Sequence, residues 1–201
     1  MSDLGHPIFT IGHSTRSTEM FLRLLRGHDV RVLVDVRRFP GSRRHPHFSR
    51  AVLTRDLAAS RIEYRHEEDL GGRRLPGPNS PNLALRSPGF RAYADHMATP
   101  AFAAAVTRLL DESIRRAVAV MCAEALPWRC HRWLLSDGLV ARGASVVHIL
   151  GPGRTQPHQL HPDAEVLHGG TVRYPAPTPA QQSLFEAERI WPESERRENN
   201  G

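Results

Sequence analysis

A chain of 201 residues, 40% hydrophobic and 24% charged, can bury a core of ordinary size and fits one domain plus an appendage. Its formal charge is +6, its sequence pI is near 10.5, and every one of its 27 basic residues is arginine. That excludes a Walker-type phosphate lysine and a Schiff-base lysine, and the lack of any run near the roughly 20 apolar residues of a membrane span excludes a spanning helix.

The first residues carry Asp3 and no apolar stretch, so they lack the form of a signal peptide, and the cytoplasm is the expected compartment. Two cysteines there read as free, catalytic, metal-bound or redox-paired before they read as a structural disulfide.

In chain order, Ile8 to Ile11 is a short β-prone run ended by Gly12-His13-Ser14-Thr15, and Glu19, Met20, Phe21, Leu24 and Leu25 then take helical spacing. Val30 to Val36 predicts a second strand that ends at Asp35 and Arg37, with Pro40-Gly41-Ser42 in the turn beyond. Leu53, Leu57 and Ala58 mark a helix, Ile62 to His66 a third strand, and Leu70 to Asn82 a loop rich in Gly, Pro and Asn that carries Arg73 and Arg74. Phe90 to Met97 and Phe102 to Leu110 predict two helices broken at Thr99-Pro100.

Val118 to Met121 is a fourth strand that stops at Cys122-Ala123-Glu124, and beyond Pro127 a helix with Leu134, Leu135 and Leu139 starts at Cys130-His131-Arg132. Ser145 to Leu150 is the last predicted strand, and Gly151-Pro152-Gly153 closes the regular part of the chain. Strands alternating with crossover helices predict an α/β fold, a three-layer domain over residues 7–161 with a mainly parallel sheet of about five strands. Residues 162–201 read as a proline-rich, partly disordered tail, with one short helix over Gln182 to Ile190.

Open parallel sheets bind ligands outside the carboxyl ends of their strands, and the polar clusters fall at those ends. That rule gathers Gly12, His13 and Ser14, then Asp35 and Arg37, then Cys122 and Glu124, then Cys130, His131 and Arg132 on one rim. A thiol at a helix entry is favoured as thiolate, which makes Cys122 the expected nucleophile, His131 its stabiliser, and Glu124 or Asp35 the group that exchanges protons. Arg37, Ser42, Arg43 and Arg44 lie in an acid-free basic stretch that suits phosphate, and Gly71 and Gly72 beside Arg73 can form an anion-binding nest. Each residue also has an ordinary structural use: Cys122 as a small buried hydrophobe, Glu124 as a solvated loop acid, the glycines as tight turns.

Thr10 to Thr15, Val34 to Arg37 with Pro40 and Ser42, Leu70-Gly71-Gly72, Cys122-Ala123-Glu124 and Cys130-His131-Arg132 together resemble, in order and spacing, the domain-of-unknown-function 488 family. The resemblance runs from Ile8 to His161 and includes Val147-His148-Ile149. It implies a single α/β domain of bacterial and archaeal cytoplasmic proteins, loosely associated with DNA repair, and brings no reaction with it.

Three functions follow as expectations. The first is an enzyme, a cysteine- or carboxylate-dependent hydrolase or transferase, acting on a phosphate-bearing partner, either a nucleotide or a nucleic acid. The second is a non-catalytic nucleic-acid binder that uses Arg37 to Arg50 on phosphates and Phe39, Phe48 and Trp128 for stacking. The third is a metal or redox site at Cys122, Cys130 and His131, with His13 as a further ligand and zinc as its ion; no cofactor is demanded by the sequence itself.

Overall fold

The computed structural model describes residues 5–41 and 44–176. Strand β1 (Ile8–Gly12), helix α1 (Thr18–Arg26), β2 (Val32–Asp35), α2 (Arg50–Ala59) and β3 (Glu63–His66) form the first half. Helices α3 (Pro88–Met97) and α4 (Pro100–Arg115) lead into β4 (Val118–Cys122), α5 (Arg132–Val140) and β5 (Val146–Gly151). The order across the sheet is β3-β2-β4-β1-β5, all parallel, and a sixth strand, β6 (Arg154–Pro157), adds antiparallel to β5.

Start and stop signals in the sequence account for the helices. Ser17 accepts from the N–H of Met20 to cap α1, Thr99 accepts from that of Phe102 to cap α4, and the proline that parts α3 from α4 sits at the first position of α4, where its missing N–H costs nothing. β2 and β4 are buried throughout because helices cover both faces.

Strand alternation divides the core into two layers. Ile8, Val34, Val118, Val120 and Cys122 face α3, α4 and α5, where they meet Tyr93, Phe102, Cys130, Leu134 and Leu135. Ile11, Leu33, Ala119 and Met121 face α1 and α2, where they meet Phe21, Leu25, Phe48, Leu53 and Leu57.

Two boundaries differ from the sequence reading. Gly151-Pro152-Gly153 does not end the regular chain: Gly153, at φ +64°, turns it into β6. Nor does packing stop at residue 161, since Val172 and Tyr174 belong to the core and a short hairpin, β7 (Glu165–Val166) with β8 (Val172–Arg173), precedes Tyr174. Tyr174 helps to seat residues 162–176, because its ring is fully enclosed and its hydroxyl finds a buried carboxylate, Asp137. The helix expected over Gln182 to Ile190 lies outside the described residues, as do Ser42 and Arg43.

Candidate active site at the carboxyl edge of the sheet

β1, β2 and β4 are neighbours, so the segments leaving them are stitched together at one edge. His13 N–H donates to the Cys122 carbonyl at 3.0 Å, Ser14 N–H to that of Ala123 at 2.9 Å, and Val36 N–H to that of Met121 at 3.0 Å. Gly12 is required by this crossing: a Cβ there would lie 1.8 Å from the Glu124 carbonyl oxygen. Ser14 holds a left-handed backbone (φ +48°), and its carbonyl accepts from His13 Nδ1 at 3.0 Å.

The polar groups form two clusters on opposite faces of the sheet. On the α1/α2 face, Arg37 donates through Nε to Asp35 Oδ1 at 2.8 Å and through Nη2 to Oδ2 at 2.5 Å, while Tyr64 donates its hydroxyl to the same Oδ2 at 2.8 Å. Arg37 also reaches the Phe48 carbonyl at 2.9 Å and His13 Nε2 at 3.3 Å. His13 is stacked on Phe48, its ring centroid 4.3 Å away. Burial first, and Arg37 against it, lower its pKa to about 4, so at neutral pH it is an uncharged imidazole that donates from Nδ1 and accepts at Nε2.

On the other face, Cys122, Cys130 and His131 bring their two sulfurs and a ring nitrogen within 4.8 Å of one another. Cys130 Sγ lies 3.5 Å from His131 Nδ1 and accepts from the Arg132 N–H at 3.5 Å, at the entry to α5. The thiol of Cys130 is lowered to about 7, chiefly by a hydrogen bond from Cys122 and then, against burial, by the Arg132 guanidinium and N–H. Cys122 is pushed up to about 12 by the same bond and by burial. Of the two sulfurs, Cys130 is the one that meets His131 Nδ1 and the Arg132 N–H at the entry to α5, and Cys122, the expected nucleophile, stands beside it at the end of β4.

The strip Leu70-Gly71-Gly72 closes over this thiol cluster. The Tyr93 hydroxyl donates to the Leu70 carbonyl at 2.9 Å, and a Cβ on Gly72 would sit 2.7 Å from His131 Nδ1. Gly72 thus allows close approach to His131, and Gly71 close approach to the backbone of Glu68 and Val36; the left-handed residue beside them is Arg73 (φ +56°), which is exposed. Arg74 is turned inward, donating to the carbonyls of Gly71 at 2.9 Å and Glu68 at 2.6 Å.

The remaining expected residues separate. Glu124 is exposed, and its part at the site is its carbonyl, which accepts from Arg132 Nη2 at 2.5 Å. Asp35 is fully buried and its two oxygens are taken by Arg37 and Tyr64, so it anchors a guanidinium. Arg44 is exposed, and Phe48, expected as a stacking surface, is fully buried. Cys122, Cys130 and His131 also have the spacing of soft-metal ligands, yet the Arg132 guanidinium and the start of α5 make the place electropositive, which suits an anion better than a cation.

Sequence reasoning missed Thr10, Tyr64, Tyr93, Asp137, His158 and Tyr174. A signal existed for two of them: Thr10 sits inside an apolar strand and Asp137 inside the leucine pattern of α5, and a buried polar group needs a partner.

A two-layered helical cover on a parallel sheet, with a thiol cluster where its strands end, places the protein among α/β proteins with a carboxyl-edge site. The sequence model described as domain of unknown function DUF488 matches residues 17–139, and the chain belongs to that family. That span runs from the cap of α1 into α5 and leaves out the Gly12-His13-Ser14 turn and β5, both within the expected resemblance. Neither the curated proteins nor the solved structures contain a match.

Proposed function

We propose that this protein is a thiol-dependent enzyme acting on a phosphate-bearing substrate, with Cys130 as nucleophile. The observation that carries the reading is the placing of one sulfur, Cys130, at a helix entry where it meets the Arg132 N–H and His131 Nδ1 with a second thiol beside it, an arrangement that favours a thiolate. Cys122 supplies a hydrogen bond to the thiolate, and His131, with Nδ1 toward the sulfur, is placed to pass a proton to or from the substrate. Arg38, half-buried and 3.7 Å from the exposed Glu68 carboxylate, and Arg73, exposed, flank the Leu70-Gly72 strip, and their guanidiniums suit a phosphate.

The test is alkylation of the full-length protein by iodoacetamide across pH, with the modified cysteine identified by mass spectrometry. Cys130 should react with a midpoint near 7 and be protected by millimolar inorganic phosphate or a nucleoside monophosphate, and Cys122→Ser should move the midpoint up. A midpoint at the ordinary thiol value of 9, or a stoichiometric zinc ion that shields both cysteines, would sink the nucleophile; absence of protection would remove the phosphate.

Phe39 (64% exposed) and Trp128 (45% exposed) stand on the loops after the adjacent strands β2 and β4, and Phe39 belongs to the basic stretch itself. They favour a nucleic-acid strand as a second reading of the substrate, since exposed rings can stack on bases. Binding of single-stranded DNA or RNA that weakens steeply with salt and is lost in Phe39→Ala/Trp128→Ala supports it; salt-insensitive binding counts against it.

A further inference from the structure

Asp137, His148 and His158 are buried ionisable groups that take no direct part in the thiol chemistry, and they lie on one line of hydrogen bonds. Arg132 Nη1 donates to Thr10 Oγ1 at 3.3 Å, and Thr10 Oγ1 meets His148 Nδ1 at 2.7 Å. His148 Nε2 meets His158 Nδ1 at 3.0 Å, and His158 Nε2 meets Asp137 Oδ1 at 2.8 Å. Asp137 also accepts from His161 N–H at 3.0 Å and from the Tyr174 hydroxyl at 2.6 Å.

The two ends fix the direction of every bond between them. A guanidinium only donates and a carboxylate only accepts. Thr10 therefore accepts from Arg132 and gives its own proton to His148 Nδ1, His148 donates from Nε2, and His158 donates from Nε2 to Asp137. His148 then donates from one nitrogen and accepts at the other, as a neutral ring does, in keeping with a pKa that burial, with His158 and Arg132 against it, lowers to about 3. The reverse order would turn a bare His158 nitrogen on the carboxylate, or place a second buried cation near Arg132. Trp133 stacks on His148 at 5.5 Å and packs against His158 at 4.6 Å, which holds both rings in this alignment.

We propose that Asp137, His158, His148 and Thr10 form a positioning relay that holds the Arg132 guanidinium against Cys130. It rests on the reading of Cys130 as the reactive thiolate. Arg132 is 1% exposed and fastened at both terminal nitrogens, to Thr10 on one side and to the Glu124 and Ala125 carbonyls on the other. Its buried Nε has no partner, so one donor of the fork is left over for an anion at the site. The groups facing Cys130 are Cys122 from β4, His131 and Arg132 from α5, and Tyr93 from α3; among them only Arg132 carries a fixed charge, and only it is tied to the relay.

The experiment compares the pH profile of Cys130 alkylation and the thermal midpoint in the wild-type protein, Thr10→Val, His158→Gln and Tyr174→Phe. Thr10→Val and His158→Gln should raise the alkylation midpoint by about half a pH unit or more, because a guanidinium free to swing stabilises the thiolate less. Tyr174→Phe cuts a hydrogen bond beyond the far end of the relay, so it should lower thermal stability and leave the midpoint in place. If all three variants lose stability while the midpoint stays near 7, the chain only holds the fold together and the relay is refuted. A wild-type midpoint near 9 instead overturns the thiolate reading, and the relay with it. Should Thr10→Val not fold, His158→Gln gives the same readout from the middle of the chain.

Discussion

Asp35 shows how one residue's role turns on its partners. A carboxylate at the end of an apolar strand is costly unless matched, and here Arg37 and Tyr64 match it at every distance a hydrogen bond allows. Arg37 in turn steadies His13, so the three residues are one unit with the aspartate as its anchor. Asp35→Asn removes the charge and strands a buried guanidinium, which should cost about 3 kcal/mol in a urea titration. A loss below about 1 kcal/mol would mean that the pair behaves like a solvated surface bridge.

Among the elements, the decisive feature is how closely the exits of β1 and β4 cross. Register pairs Gly12 with Cys122, and the chain beyond Cys122 then passes directly over Gly12. Arg16 secures the crossing from the other side, donating to the carbonyls of Gly12 and Leu150. Gly12→Ala forces a Cβ into backbone rather than into a side chain that could swing away, so a destabilisation of about 3 kcal/mol is expected. Circular dichroism and urea midpoints read it; a neutral Gly12→Ala would show that the β4 exit can move aside. The Gly72 contact is different in kind, since what it meets is the His131 ring, and its substitution would disturb the site before the fold.

For the whole molecule, neutral buried histidines set the response to acid. His13 and His148 take up protons in the unfolded chain near pH 6.5 but in the folded one only near 4 and 3. Below pH 6.5 the unfolded state binds more protons, so this stability is full above that pH and drains away as pH falls toward 4 for His13 and toward 3 for His148. Urea midpoints should drop between pH 7 and pH 5, and His148→Asn should flatten part of that drop. A midpoint unchanged over this range would contradict the burial of both rings. The C-terminal stretch takes part too, because Tyr174 and His161 close on Asp137 from beyond residue 161.

The strand-loop-helix order, the parallel sheet and the gathering of Cys122, Cys130, His131 and His13 at one edge were legible from residue patterns. Periodicity of apolar residues and the termination of strands at polar groups are local properties, so they survive in the sequence. Which cysteine meets the helix entry was not legible, because the answer depends on how the chain between Cys122 and Cys130 folds back to bring the two sulfurs together beside His131. Nor was the division of the rim into an Asp35-Arg37-His13 face and a thiol face, which strand parity sets only once neighbouring strands have found their register. The chain by itself determined the class of fold and which polar residues end its strands; tertiary packing alone decided which sulfur meets the entry to α5, which carboxylate is an anchor, and that distant residues from Thr10 to Tyr174 share one buried network, since each of these is a relation between side chains apart in sequence.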